Sequence, residues 1–430
     1  MRLSEPSAES YLEARARLGI KFGLQTMRAL VEALGHPERA FTALTVAGTN
    51  GKGSVAAYAD SVLRAAGLAT GRYTSPHLVR VHERITADGR EIGGEDLEEA
   101  VGAVRRAAER LVAAGGLHDQ PTYFEALTAA ALDHFRRKGV RTAVLEVGLG
   151  GRLDATNVCD PVASAIVSLD FDHQVYLGTS LAAIAGEKAG VLRQGRVTVL
   201  GPMAKEAREA IGVQARAVGA RLVDAEDGAR LEDGPGGLDV HTPAGVYRAL
   251  RPLPGAHQRA NLLVALRLLE EARAAGVPVD LAAVRDGVAA TRWPGRLQDV
   301  AGDPPVLLDG AHNAAGARAL AGHLVGRGPL VLLFGAMADK DVEDMAGTLF
   351  PLARRVVLTR VAMERAAFPE ELALRAGDHG REAEWEGDLA RAFARARALA
   401  RPDATLVVAG SLYLVGAVVA LLEAEGTSVL

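Results

Sequence analysis

The segment Thr45-Val46-Ala47-Gly48-Thr49-Asn50-Gly51-Lys52-Gly53-Ser54 constrains this chain more than any other. A short apolar strand, Leu44 to Ala47, enters a glycine loop, and a helical stretch from about Ser54 to Ala66 leaves it. Glycines allow backbone N–H groups to turn inward and approach phosphate oxygens. The helix start adds the positive end of its dipole. Lys52 supplies a point charge for the β- and γ-phosphates, and a hydroxyl after it can reach Mg²⁺. The spacing departs from the strict phosphate-loop pattern, because Gly53 separates Lys52 from Ser54. A simple strand-to-helix turn does not need three glycines, a lysine and a hydroxyl within seven residues. The pattern therefore predicts a nucleotide phosphate and leaves the reaction open.

The rest of the chain is consistent with such a loop. Glu95 to Ala114 reads as a helix, with Leu97, Val101, Val104, Ala108 and Leu111 on one stripe and Gly115-Gly116 as its stop. Ala143 to Val147, Val162 to Leu169 and Arg196 to Leu200 read as buried strands. Between Arg221 and Arg251 glycine, proline and short alternating runs predict a hairpin-rich insertion or a sheet edge. Helices resume at His257 to Ala275 and Leu281 to Ala290, and Trp293-Pro294-Gly295-Arg296 reads as a linker. A second strand–helix series then runs from Val306 to Leu422. Alternation of this kind predicts parallel sheets with right-handed crossovers. The fold class expected is α/β: an N-terminal P-loop-type ATPase domain over 1–295, with a mainly parallel sheet, and a smaller Rossmann-like domain over 298–430.

Composition narrows the partners. Of 430 residues, 49% are hydrophobic and 24% charged, which suits a folded chain rather than a disordered one. The formal net charge of −4 and the 4% aromatic content argue against a nucleic-acid footprint. One cysteine, Cys159, excludes an internal disulfide and a cysteine-rich metal site. No apolar run approaches the roughly 20 residues of a membrane span. Met1 to Pro6 lacks the basic start and apolar core of a signal peptide, so a cytoplasmic protein is expected.

Several polar residues stand where apolar ones would be expected. Glu146 ends a buried-type strand, where a carboxylate needs a metal, a helix cap or a salt bridge. Asp172-His173 follows another strand, at the end that faces the ligand crevice in open α/β sheets; a hydrogen-bonded structural histidine is the alternative to a ligand. Lys188 lies among small and apolar residues, where burial would favour the neutral amine; the alternatives are a salt bridge with Glu187 or a surface lysine. Asp309 and His312 repeat the strand-end logic in the second half, with a helix cap as the alternative for Asp309. Arg296, in the linker, carries a guanidinium suited to a phosphate.

Taken in order, these segments resemble the folylpolyglutamate synthase/dihydrofolate synthase family of the Mur ligase superfamily. The matching pieces are Ala47 to Ser54, Thr74-Ser75-Pro76-His77-Leu78, Thr122-Tyr123-Phe124-Glu125, Glu146 to Asn157, Asp172-His173 with Leu177-Gly178, and Glu187-Lys188-Ala189-Gly190. His257-Gln258 with Asn261, Pro294-Gly295-Arg296, Asp309 to Asn313 and Gly410 to Gly416 complete the set, which spans about residues 20 to 418. The resemblance implies an ATP-dependent amide ligase that joins L-glutamate to dihydropteroate, to a folate, or to both. In such a ligase the pteroate or folate carboxylate attacks the γ-phosphate of ATP, and the amine of glutamate attacks the resulting acyl phosphate.

Site roles follow from the resemblance, position by position. Gly48, Thr49, Asn50, Gly51, Lys52, Gly53 and Ser54 are expected to cradle the ATP phosphates. Ser75 and Glu146 match the ligands of one Mg²⁺ and His173 a ligand of a second. Lys188 matches a lysine carried as a carbamate formed with CO₂. Asn261 matches an adenine contact, Arg296 a γ-phosphate contact, and Asp309 and His312 nucleotide contacts from the C-terminal domain. ATP is thus expected in the interdomain cleft, with closure completing the site. Lys52, Lys188, His173 and His312 are the expected catalytic residues. Thr122, Tyr123, Phe124 and Glu125, with Leu153, Asp154 and Ala155, match the pterin pocket, Phe124 being a stacking surface. Three departures stand out: Ser54 for a frequent Thr, Phe171 to Tyr176 in place of the commoner Leu-Asp-His-Thr form, and Gly186 for a frequent Arg. The expected partners are small molecules, without nucleic acid or membrane, for a monomer. The competing readings are another Mur-type ligase, disfavoured because the phosphate loop begins by residue 48 and leaves no room for a UDP-binding domain before it, and a non-catalytic nucleotide switch.

Overall fold

A computed structural model describes residues 6–19 and 21–429. The chain forms two compact units, Met1–Pro252 with Ala260–Thr291, and Leu253–Arg259 with Arg292–Leu430.

The first unit is built on an eight-stranded sheet. Its strands are β1 (Thr42–Ala47), β2 (Thr70–Tyr73), β3 (Ile85–Ala87), β4 (Arg90–Glu91), β5 (Thr142–Glu146), β6 (Pro161–Ile166), β7 (Val197–Leu200) and β8 (Arg221–Asp224). Their spatial order is β4-β3-β2-β5-β1-β6-β7-β8. The pairs from β2 to β8 are parallel, whereas β3 and β4 add an antiparallel edge. The sheet is thus mainly parallel, as expected; the strands of its antiparallel edge are two or three residues long and carry none of the apolar runs that mark buried strands. β1 lies between β5 and β6, in register Val46↔Glu146 and Ala47↔Ile166. The phosphate loop, Glu146 and the segment after Ile166 therefore emerge side by side at the carboxyl edge, where open α/β sheets bind ligands.

The stripe read from the sequence at 95–114 is a helix over Gly94–Ala113 with Leu97, Val101, Val104 and Ala108 buried. Helices not evident in the sequence include Ala8–Ala16, Gln25–Ala33, Tyr123–Arg137, Leu181–Lys188 and, in the second unit, Pro369–Arg375. The stretch 221–251 divides between both expectations. β8 is the edge of the main sheet, and β9 (Arg230–Gly234), β10 (Gly237–Thr242) and β11 (Gly245–Leu250) form a separate antiparallel sheet. A buried carboxylate, Glu270, ties this small sheet to the helix His257–Ala274; it accepts bonds from Tyr247 Oη at 2.8 Å, Thr242 Oγ1 at 2.5 Å and Arg267 Nη1 at 2.9 Å.

The second unit has a six-stranded sheet from β12 (Gln298–Val300), β13 (Val306–Leu308), β14 (Leu330–Phe334), β15 (Arg355–Leu358), β16 (Glu384–Trp385) and β17 (Thr405–Ala409), in the order β12-β13-β17-β14-β15-β16. All pairs are parallel except β12 with β13. Leu307, Leu332, Phe334, Leu358 and Val407 belong to its core. Among the described residues no helix is long and apolar enough to cross a membrane.

Candidate active site

At the end of β1 the backbone turns through Gly48 (φ 145°) and Gly51 (φ 81°) into the helix Lys52–Ala65. Gly51 occupies the left-handed region that glycine adopts without steric cost. A Cβ there would also stand 2.3 Å from Asn261 Oδ1 and 2.9 Å from Val167 Cγ1. Asn261, the expected adenine contact, thus rests directly on the phosphate loop. Gly51→Ala is expected to displace Asn261 and to cost about 1–2 kcal/mol in backbone conformation. Calorimetric titration with ADP should show roughly tenfold weaker binding, since 1.4 kcal/mol corresponds to a factor of ten.

Two ammonium groups converge on one carbonyl of this loop. Lys52 Nζ donates to Gly48 O at 3.1 Å and to Thr49 O at 3.1 Å. Lys188 Nζ donates to the same Gly48 O at 2.8 Å. Lys188 is 5% exposed at the end of the helix Leu181–Lys188. Burial, and then the charge of Lys52, lower its pKa to about 7, against the opposing pull of Asp172 and Asp154. The sequence alternative of a pair with Glu187 does not hold: Glu187 pairs outward with Arg152 at 2.8 Å.

Glu146 is 4% exposed at the end of β5, and its Oε2 accepts the backbone N–H of Ser75 at 3.1 Å. The two expected ligands of the first metal are therefore adjacent. Among the described residues no three His, Cys, Asp or Glu side chains form a metal cage. One carboxylate with a neighbouring hydroxyl fits Mg²⁺, which commonly takes one or two carboxylates and completes its shell with substrate phosphate and water. His173 lies in the left-handed region (φ 51°) with its side chain 40% exposed, and its Nε2 is 3.9 Å from Asp172 Oδ1.

The residues matched to the pterin pocket divide by what their side chains touch. Thr122 and Glu125 are bonded to each other in a capping box at the start of the helix Tyr123–Arg137. Phe124 lies against the backbone of Gly148, whose Cβ, if present, would stand 2.5 Å from the ring, and its centroid is 5.9 Å from Tyr73. Arg84 lies over Tyr123 at 5.2 Å and donates to His77 Nδ1 at 3.0 Å. Burial, helped by the Arg84 charge, lowers the His77 pKa to about 4. Asp154 is buried; it accepts from Gly148 N, Leu149 N, Thr156 N and Thr156 Oγ1, all at 2.6–3.0 Å. These bonds make Asp154 the anchor of the glycine run. Leu153 is half-buried and Ala155 buried beside it.

In the second unit Asp309 is not a helix cap. Asn313 is, accepting from Gly316 N at 2.9 Å. The Asp309 carboxylate, 7% exposed, accepts from Leu297 N and Ala311 N at 2.9 Å each. Burial raises its pKa, while Arg296 and those backbone bonds oppose the rise. Arg296 Nη1 donates to Gly310 O at 3.2 Å, and His312 Nδ1 lies 2.8 Å from the same carbonyl, which makes Nδ1 the protonated nitrogen. Arg296, Asp309 and His312 thus form one cluster.

Ser168 and Glu83 carried no motif and were not singled out in the sequence. Glu83 accepts backbone N–H groups from Leu78, Val79 and Arg80 at 2.6–2.7 Å and shapes the loop after Ser75.

Comparison with known proteins identifies what the chain is similar to. Residues 295–412 match the family model of the Mur ligase glutamate ligase domain. The chain is 34% identical to a folylpolyglutamate synthase of Lacticaseibacillus casei, over 95% of this chain and 96% of that one. It is 36% identical to a probable bifunctional folylpolyglutamate synthase/dihydropteroate synthase of Haloferax volcanii, over 95% of this chain but 49% of that one; the chain spans about half the length of this relative. Among solved structures, E. coli FolC in complex with DHPP and ADP superposes with a TM-score of 0.88 at 30% identity, covering 98% of this chain and all of that one. A bifunctional folylpolyglutamate synthase/dihydrofolate synthase with Mn, AMPPNP and L-glutamate bound superposes with a TM-score of 0.86 at 30% identity, covering 97% of this chain and 99% of that one.

Proposed function

The chain belongs to the folylpolyglutamate synthase/dihydrofolate synthase family, and from that membership we propose that it uses ATP to join L-glutamate to the carboxylate of dihydropteroate, of a reduced folate, or of both. One observation carries the reading. The phosphate loop, the Glu146–Ser75 pair and the buried Lys188 amine meet at the carboxyl ends of β1, β5 and β6.

In this reading the folate carboxylate attacks the γ-phosphorus of ATP, ADP departs, and an acyl phosphate forms. The glutamate amine then attacks the acyl carbon, loses a proton, and expels phosphate. Positioning and charge neutralisation supply most of the rate. The N–H groups of Gly48 to Ser54 and the Lys52 ammonium orient the phosphates. Glu146 and Ser75 would hold Mg²⁺, which neutralises charge on the transferring phosphoryl group, and His173 would serve a second such site. Lys188 is proposed to carry a carbamate. Its neutral amine attacks CO₂, a proton leaves to solvent, and a buried anion remains beside the loop. Asn261 is proposed to contact the adenine, and Arg296 of the linker, with Asp309 and His312 of the domain over 298–430, to contact the nucleotide. Phe124 offers its ring face to the pterin, Tyr123, Leu153 and Ala155 line the same pocket, and Thr122, Glu125 and Asp154 set its walls. The protein would act as a cytoplasmic monomer on small molecules, without nucleic acid.

The test is phosphate release from ATP and L-glutamate, with dihydropteroate and tetrahydrofolate supplied separately. Release with either alone names the activity, and release with both gives a bifunctional enzyme. ATP binding without release, or release only with a peptidoglycan precursor, overturns the reading.

A further inference from the structure

The ladder between β1 and β6 ends at Ala47 and Ile166, yet the two chains stay paired beyond it. Val167 N donates to Ala47 O at 2.9 Å, and Thr49 N donates to Ser168 O at 2.8 Å. Side chains then take over. Asn50 N donates to Ser168 Oγ at 3.0 Å, and Ser168 Oγ donates to Asn50 O at 3.0 Å. One turn on, Thr49 Oγ1 donates to Asp170 O at 3.2 Å and accepts from Asp170 N at 3.1 Å. Each hydroxyl both gives and receives, so two side chains bracket two consecutive residues of the phosphate loop. The approach is close because residue 48 is glycine: a Cβ there would stand 3.1–3.2 Å from the backbone of Val167 and Ser168.

A loop with glycines at 48, 51 and 53 has much conformational freedom to lose on binding. Fixing its peptide planes beforehand lowers that cost and raises affinity. For Asn50, Ser168 does this from the neighbouring strand end. The segment that supplies Ser168 and Asp170 continues into Asp172 and His173, and Asp172 acts electrostatically on Lys188.

We propose that Ser168 is a positioning residue for nucleotide binding, holding the Thr49–Asn50 peptides in their phosphate-ready orientation without touching the substrate itself. The proposal rests on the reading above only for the identity of the ligand, a nucleotide phosphate. Ser168→Ala removes both side-chain bonds. ADP affinity, measured calorimetrically without folate or glutamate, is expected to fall about tenfold, the loss of one to two hydrogen bonds. In turnover, KM for ATP should rise by a similar factor while KM for glutamate and for the folate substrate stay unchanged. Ser168→Thr, which keeps the hydroxyl, should recover ADP affinity to within about threefold. Wild-type ADP affinity in folded Ser168→Ala overturns the proposal, and so does a common rise of all three KM values. If Ser168→Ala does not fold, Ser168→Cys, which keeps the size and weakens both bonds, carries the same direction of change, with Ser168→Thr as its rescue. Nucleotide binding that follows this pattern in a protein without glutamate-dependent turnover would leave the bracket standing and remove the ligase reading alone.

Discussion

Lys188→Ala is expected to lower glutamate-dependent phosphate release by about a thousandfold, the scale seen when one preorganised charge-stabilising group is removed from an active site. An amine 5% exposed and repelled by Lys52 holds its proton weakly, and its pKa falls to about 7, although the Gly48 carbonyl accepts from it at 2.8 Å. The free amine is the form that reacts with CO₂. At about pH 8 most of the population is therefore competent, whereas at about pH 6 most is not. Carbamate formation also releases a proton, so higher pH favours it twice. Activity in CO₂-depleted buffer should accordingly be lower than in bicarbonate, and the difference should grow as pH falls toward 6. The folding equilibrium has the matching sign. The unfolded lysine keeps its proton to higher pH than the folded one, so the unfolded state binds more protons between about pH 7 and 10. The contribution of Lys188 to stability is least below its folded pKa and rises through that window. ADP titration of Lys188→Ala separates two roles. Binding near the wild-type value with lost turnover assigns the residue to the reaction. Loss of both would make it a prop for the Gly48 turn and remove the carbamate from the account.

The parts of this site that were legible in the sequence are those where a residue type conflicts with its surroundings. Glu146 at the end of an apolar strand, a scarce lysine among alanines and glycines, and Asp309 beside His312 each stood out by that conflict. The fold was legible for the same reason, since buried parallel strands are continuous apolar runs and the helix at 94–113 has a clean stripe. Short edges were not: β3 and β4 hold five residues between them, too few for any period to register. The helix Tyr123–Arg137 was missed because it is buried nearly all round, from Glu125 to Phe135, so it shows no stripe. Ser168 and Glu83 were invisible for a different cause. Their work is done through backbone groups of distant or neighbouring residues, and a hydrogen bond to a peptide leaves no mark in the partner's identity. Asp154 shows the opposite difficulty: its motif was legible, but only the four bonds it accepts separate anchoring the glycine run from touching a substrate.

Glu146→Gln is the second large effect, and its value lies in how little else it changes. Glutamine has nearly the same shape and keeps an amide oxygen for the Ser75 N–H now bonded at 3.1 Å. The loop carrying Ser75 and the sheet end should therefore survive, and the melting temperature should stay within a few degrees, about what 1 kcal/mol moves in a domain of this size. The negative charge on the group that accepts the Ser75 N–H is lost. A hard divalent cation prefers anionic oxygen. Turnover at fixed Mg²⁺ should fall about a hundredfold to a thousandfold, and much of that loss should be recovered as Mg²⁺ is raised, because phosphoryl transfer depends on neutralising the phosphate oxygens rather than on the carboxylate itself. Nucleotide binding without metal should be unchanged or slightly tighter, since removing Glu146 removes a charge that repels the phosphates. A rate loss that no Mg²⁺ concentration restores would assign Glu146 to orienting Ser75 alone and would leave the metal to be held by other groups.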